Sequence, residues 1–333
     1  MAQTETILKV RALTKHFNVS SGLFSKPLLL HAVDDMNFDV VRGRTIGIVG
    51  ESGSGKSTLA RLILKLIPAT SGSVEYEGRD ILPLREREAA FVRRDLQMIF
   101  QDPYASLDPR IKIGEAIAEP LREHRLCKSA AETRERVAEM LRRVGLPPEA
   151  AQRFPHEFSG GQRQRINIAR ALCMNPKLII CDEAVSALDV SVQAQVLNLF
   201  GELKEAFGLT YLFISHDLSV VKFISDVIIV MYLGEMMEMA PAQALFADTA
   251  HPYTRALISA IPDPNPQVKR ERILLRGDIP SAINPPPGCR FCSRCYKARK
   301  ACETQHPQLT EIAPGHFVRC PYYDEDRMGG SPS

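Results

Sequence analysis

A layered α/β core built round a phosphate-binding loop, with a helical insert and an irregular cysteine-rich C-terminal extension, is the fold class that three observations predict. Short apolar runs that read as strands alternate with amphipathic helical patterns as far as about residue 260. Gly50-Glu51-Ser52-Gly53-Ser54-Gly55-Lys56-Ser57-Thr58 follows one such strand and opens one such helix, fitting G-x-x-x-x-G-K-[ST]. From Ile261 the chain changes character, because Pro262, Pro264, Pro266 and Pro285-Pro286-Pro287 interrupt any periodicity, and five of the eight cysteines fall in the same stretch.

In chain order, Thr45 to Val49 is a short apolar strand, and from Ser57 onward Leu59, Leu62, Ile63, Leu66 and Ile67 share one helical face. Between them the glycines supply the backbone freedom a phosphate-wrapping loop needs, and the helix start aims backbone N–H groups at an anion. Lys56 would reach the β- and γ-phosphates and Ser57 the magnesium ion. The core runs to about residue 100. A helical stretch, about residues 105–175, then includes Gly114 to Glu123 and Ala131 to Val144. Ser159-Gly160-Gly161-Gln162 opens a further helix whose unpaired N–H groups favour an anion. The core resumes near residue 177 with the apolar strand Leu178 to Cys181, which ends in Asp182 and Glu183. The two carboxylates divide the labour: Asp182 would hold magnesium, and Glu183, one residue past the strand, would accept a proton from an attacking water. After Ser191 a helix presents Val196, Leu199, Phe200, Leu203 and Phe207, and strands Thr210 to Ile214 and Val227 to Met231 follow.

With these residues in place the chain resembles an ATP-binding-cassette (ABC) ATPase. Phe158 to Arg165 resembles that family's signature, which implies that Ser159, Gly160, Gly161 and Gln162 meet ATP held by the loop of a facing subunit. By the same resemblance Gln101 touches magnesium and the attacking water, His216 contacts the γ-phosphate, Phe17 stacks on adenine, and Asp189, in Ser186-Ala187-Leu188-Asp189, belongs to the loop that signals across the dimer. The implied ATP contacts therefore run over Phe17, Gly50, Ser52 to Thr58, Ser159 to Gln162 and Asp189, with magnesium held by Ser57, Gln101 and Asp182. Phe158 stands where leucine is common and Ala184 where proline is usual, and neither departure removes a reacting group.

A narrower resemblance covers about residues 7 to 323. Phe100 to Arg110, Ser186 to Gln195, Ser215 to Val221, His251-Pro252-Tyr253-Thr254 and Asn284 to Cys289 resemble the ATPase subunits of dipeptide and oligopeptide importers. This implies a second, different ATPase chain, two membrane permeases, an external solute-binding protein and a peripheral place on the cytoplasmic face of the membrane. Close relatives import nickel or other solutes, and the same cassette also drives soluble clamps in repair or translation. Against a clamp stand the single cassette, the lack of coiled-coil heptads and a net charge of +3, too mild and too mixed to predict a nucleic-acid partner. No apolar run approaches the roughly 18 residues that span a bilayer, and Met1 to Arg11 has no signal-peptide core, so a cytoplasmic chain is expected.

The clustered cysteines favour metal over disulfide. Spacing alone points to Cys289, Cys292 and Cys295 with a distant Cys320. The importer resemblance instead implies a [4Fe–4S] cluster on Cys289, Cys295, Cys302 and Cys320, leaving Cys292 as the alternative ligand. Zinc on four thiolates is the rival metal, and a cluster-based redox sensor the rival function. Arg290, Arg294, Lys297, Arg299 and Lys300 read as a solvated basic face, or one that meets anionic lipid or a partner. Cys127, Cys173 and Cys181 read as small core residues.

Overall fold

The computed structural model describes residues 5–19, 28–262, 272–275 and 277–326, so Pro264 and Pro266 lie outside the described residues. The chain forms two compact units, the first from Met1–Thr6, Val41–Thr45 and Pro83–Ile214, the second from Ile7–Val40, Ile46–Leu82 and Ser215–Ser333.

In the first unit the strands Leu96–Ile99, Leu178–Asp182 and Thr210–Ser215 pair in parallel, with Ile180 opposite both Met98 and Leu212. Leu178 to Cys181 are fully buried, as a strand covered on both faces must be. The helix Val190–Phe207 buries Val196, Leu199, Phe200 and Leu203, and Phe200 meets Tyr211 and Phe213 edge-on at 5.5 and 5.7 Å. Phe207 leaves the expected face: it ends the helix partly exposed, with the Arg143 guanidinium 5.5 Å from its ring. The insert contains the helices Ile113–Glu123, Ala130–Arg143 and Gly160–Leu172. Ser129 caps the second by accepting from the Glu132 N–H.

In the second unit Thr45–Val49 pairs in parallel with Val227–Tyr232, which turns back antiparallel into Glu235–Pro241. A separate antiparallel sheet, in the order Leu29–Val41, Thr6–Asn18, Ser71–Tyr76 and Arg79–Asp80, has no counterpart in the sequence expectation. The helix after the phosphate loop is also shorter than expected. It stops at Ile63, because Lys65 turns left-handed (φ 55°) and the Leu66 N–H reaches back to the Arg61 carbonyl at 2.8 Å. Leu66 is consequently 55% exposed rather than on the apolar face.

The C-terminal extension is more regular than its prolines predict. Its hairpin, Thr310–Ala313 and His316–Val318, adds to the strand Glu235–Pro241, pairing Val318 with Glu238. Phe291, with Cys289 and Cys295 beside it, packs into the core that holds Val230, Tyr232 and Tyr253. The buried Glu238 carboxylate joins these pieces, accepting from the N–H groups of Ala250 and His251 and lying 2.8 Å from His316 Nε2.

His251 gives this unit a pH dependence. Its Nδ1 accepts from the Tyr253 N–H, capping the helix Pro252–Ser259, and burial pushes its pKa from 6.5 down to about 4, although the Glu238 carboxylate pulls the other way. Between those two pH values the unfolded chain binds the extra proton, so this contribution to stability is complete above pH 6.5 and is lost as pH falls toward 4. Denaturant titrations across that range are expected to lose up to about 3 kcal/mol, a loss that His251→Asn removes.

Candidate functional site

The phosphate loop belongs to the second unit. Gly55 sits at φ 102°, and a Cβ there would lie 2.1 Å from the Ala32 carbonyl oxygen, so both its backbone and its packing demand glycine. The buried Lys56 ammonium donates to the carbonyls of Gly50 and Glu51, at 2.8 and 2.9 Å, and to Ser54 Oγ at 3.2 Å. Its charge thus sits inside the curl of the loop, beside Ser57 and Thr58 at the start of the helix Lys56–Ile63. That arrangement of N–H groups and one ammonium suits a polyphosphate. Phe17, on the strand Thr6–Asn18, is half-buried with the Lys15 ammonium 4.8 Å from its ring. His216 is exposed directly after the strand Thr210–Ser215.

The first unit holds the acids. Asp182 ends its strand 6% exposed, and Glu183 follows in the left-handed region at φ 50°, a conformation that costs a non-glycine residue about 1 kcal/mol. The Glu183 N–H donates to the Ile214 carbonyl at 3.0 Å, which helps to hold the backbone there. Gln101 Nε2 donates to Glu183 Oε2 at 2.9 Å, so the two residues expected to handle the attacking water are neighbours. The segment after Gln101 is in turn tied to the signature helix Gly160–Leu172. The Arg163 guanidinium lies 3.4 Å from the Tyr104 ring centroid, and Arg170 donates to the Ser106 carbonyl at 2.9 Å.

Ser159 and Gln162 form a reciprocal capping box, each side chain accepting the other's backbone N–H, at 3.3 and 3.0 Å. This leaves the two side chains exposed at the helix start, with Gly160 between them and Phe158 buried under Arg153. Gly161 is needed for packing, since a Cβ there would lie 2.3 Å from Val192 Cγ1 on the neighbouring helix. Gly161→Ala is expected to cost about 1–3 kcal/mol in thermal unfolding and to slow ATP turnover, with Val192→Ala restoring both. Asp189 is exposed at the start of the helix Val190–Phe207, next to Val190, which is 84% exposed.

Cys289, Cys292, Cys295, Cys302 and Cys320 all line one cavity of about 230 Å³ in the second unit. Burial pushes the Cys289 and Cys295 thiols up to about 12 and about 11, so without a metal they are neutral. Among the described residues, the group of three or more histidine, cysteine, aspartate or glutamate ligand atoms lying within 4.8 Å of one another is His16, His31 and Asp34 rather than the thiols. Cys173 and Cys181 are core residues, whereas Cys127 is half-buried.

Two of the arginines expected to be solvated are not. Arg290 is 6% exposed and donates to Asp34, to the Leu233 carbonyl and, at 3.0 Å, to Glu235. His16 Nε2 and His31 Nδ1 each lie 2.7 Å from one Asp34 oxygen. Burial raises the Asp34 carboxyl, but the hydrogen bonds from His31, His16 and Arg290 reverse this and hold it at about 2. With Arg290 already on Asp34, the group is a charge network rather than a cation site. Arg294 pairs with Glu51 of the phosphate loop. Neither contact is signalled by spacing, because the partners lie more than 240 residues apart in sequence.

Residues 33–186 match the ABC transporter family model, and residues 237–302 match the oligopeptide/dipeptide transporter C-terminal region. The chain is 52% identical over 326 residues to the oligopeptide transport ATP-binding protein AppF of Bacillus subtilis (strain 168), covering 97% of this chain and 99% of that one. It is 51% identical over 321 residues to the oligopeptide transport ATP-binding protein OppF of Haemophilus influenzae, covering 95% of this chain and 97% of that one. Among solved structures it is similar to the dimeric ATP-binding cassette MJ0796 in a post-hydrolysis state bound to ADP and Pi, with a TM-score of 0.63 and 31% identity over 71% of this chain and 98% of that one.

Proposed function

Because the chain belongs to the ABC transporter ATP-binding proteins, in the oligopeptide transport branch, we propose that it is the ATP-hydrolysing subunit of a di-/oligopeptide importer. The observation that carries this is the match along 97% of the chain, cassette and C-terminal region together, to a protein of that name. The nickel and soluble-clamp readings are not favoured, since the relatives are named for oligopeptide and peptide transport.

Gly50, Ser52, Gly53, Ser54, Gly55, Lys56, Ser57 and Thr58 bind the phosphates, and Phe17 stacks on the base. Ser57, Gln101 and Asp182 hold magnesium, which neutralises phosphate charge when bound. Glu183 takes the proton of the attacking water while Gln101 orients both, and His216 senses the γ-phosphate. Ser159, Gly160, Gly161, Gln162 and Asp189 face the nucleotide of a second ATPase subunit, a different chain. Two permeases and an external binding protein complete the importer, with this chain peripheral at the cytoplasmic face. Exposed Phe100, Tyr104 and Ile111, around the loop that begins at Gln101, support a protein partner on that surface. No helix of the described residues is long and apolar enough to cross a membrane.

The thiols are assigned to a [4Fe–4S] cluster held by Cys289, Cys295, Cys302 and Cys320, with Cys292 as the alternative ligand. The support is the one cavity that all five thiols line. Zinc on four thiolates is the rival occupant of the same cavity. When bound, the cluster would cross-link an otherwise proline-broken segment.

The test is purification of the Glu183→Gln protein from detergent-solubilised membranes with ATP and magnesium, identifying the co-purified chains. Two permeases and a second ATPase are expected, and recovery of soluble factors alone would overturn the importer. Anaerobically purified protein is expected to contain iron and acid-labile sulfide in equal amounts, and absence of both would end the cluster assignment.

A further inference from the structure

The cysteine-lined segment and the phosphate loop meet at one ion pair. Arg294, between Cys292 and Cys295, donates through both terminal guanidinium nitrogens to both Glu51 oxygens, at 2.5 and 3.1 Å. The pair is largely shielded from water, its side chains being 8% and 25% exposed, so each charge depends on the other. Glu51 is the second residue of the phosphate loop. Its N–H donates to the Tyr253 hydroxyl at 3.0 Å, and its carbonyl accepts from the Lys56 ammonium at 2.9 Å. Tyr232, Tyr253 and Phe291 pack together with ring centroids 4.8 to 5.3 Å apart, and Phe291 lies two residues from Cys289.

A second fastening holds the same short segment. Arg290, next to Cys289, binds Asp34, Glu235 and the Leu233 carbonyl, and the neighbouring Gly234 N–H donates to the Ser54 carbonyl of the loop at 2.9 Å. The stretch Cys289 to Cys295 is thus pinned to the loop on one side and lines the cavity of thiols on the other. The base from which Arg294 reaches Glu51 is therefore part of the thiol-lined segment.

We propose that Arg294 is a positioning residue for the phosphate-binding loop, and that the ligation of Cys289 and Cys295 is coupled through it to nucleotide affinity. The first half stands on the ion pair, and the second rests on the cysteine-ligand reading above. The coupling is reciprocal: ATP tightens the cysteine site by the factor by which that site tightens ATP.

The test is Kd for a fluorescent ATP analogue, with ATPase kinetics and iron content, in intact wild-type, Arg294→Ala, Arg294→Lys and Glu51→Gln proteins and the double variant. Arg294→Ala is expected to weaken the nucleotide about tenfold. Its KM should rise more than its kcat falls, because the reacting acids are untouched. Arg294→Lys should recover part of the loss, and the double variant should be no worse than either single one. Blocking the thiols of wild-type protein with N-ethylmaleimide should weaken the nucleotide by a similar factor and leave Arg294→Ala unchanged. Unaltered Kd in a folded Arg294→Ala protein overturns the positioning role; where that variant does not fold, unaltered Kd in Glu51→Gln does so. A thiol-blocking effect of equal size in Arg294→Ala, or none in wild type, overturns the coupling alone. Absence of iron from wild type with a positive Arg294 result removes the cluster and leaves the ion pair standing.

Discussion

Glu183→Gln is expected to lower ATP turnover by about 10²- to 10⁴-fold while leaving nucleotide affinity nearly unchanged. The substitution keeps the shape of the side chain, and an amide oxygen still accepts from Gln101, so the contact at 2.9 Å survives. What disappears is a basic carboxylate. The backbone makes the same point from the other side. Glu183 holds φ 50° with its N–H bound to the Ile214 carbonyl, a position where glycine would relieve strain. Glu183→Gly is therefore expected to gain stability, by up to about 1 kcal/mol, and to lose hydrolysis as completely as the glutamine variant. Phosphate release and nucleotide titration on the assembled complex check both, and unchanged turnover in either variant would remove Glu183 from the role of base.

Gly55→Ala is expected to abolish nucleotide binding and to destabilise the second unit by about 3 kcal/mol or more. Two costs coincide there: a left-handed φ of 102°, and a methyl carbon driven to 2.1 Å from the Ala32 carbonyl oxygen, a backbone atom that cannot rotate away. Gly53 separates the two. It also has positive φ, 79°, but a Cβ there meets nothing within 4 Å, so Gly53→Ala should pay the backbone cost alone, about 1 kcal/mol. Thermal unfolding and ATP-analogue binding of the pair measure the difference. Equal losses would show that close approach to Ala32 is not what requires glycine at residue 55.

The residues proposed to do the chemistry are legible because their constraints are local. A loop that wraps phosphate needs glycine within a few residues of lysine, an acid must follow a buried strand, and a helix start needs a cap; Lys56, Glu183 and Ser159 stand where these demands put them. The less legible elements are those decided by what lies across from them. The strands Thr6–Asn18 and Leu29–Val41 pair with each other in a sheet without a clean alternation of buried and exposed residues to mark them. Leu66 and Phe207 continue a helical apolar pattern, yet the chain turns or ends before it can bury them. His316 and Val318 convert a proline-marked tail into sheet only because the edge strand Glu235–Pro241 is there to receive them.

The sequence by itself determined the class of fold, the glycine-rich loop, the paired acids and the signature-like helix start, since each depends on residue types a few positions apart. Only the tertiary structure decided the fate of the charges. Arg290 and Arg294 read as solvated cations in a basic stretch, and folding brings them against Asp34, Glu235 and Glu51, taken from three distant segments. Burying an arginine is unfavourable unless a carboxylate meets it. Which carboxylate does so is a property of chain topology, and here that topology ties the cysteine segment to the loop proposed to hold the nucleotide.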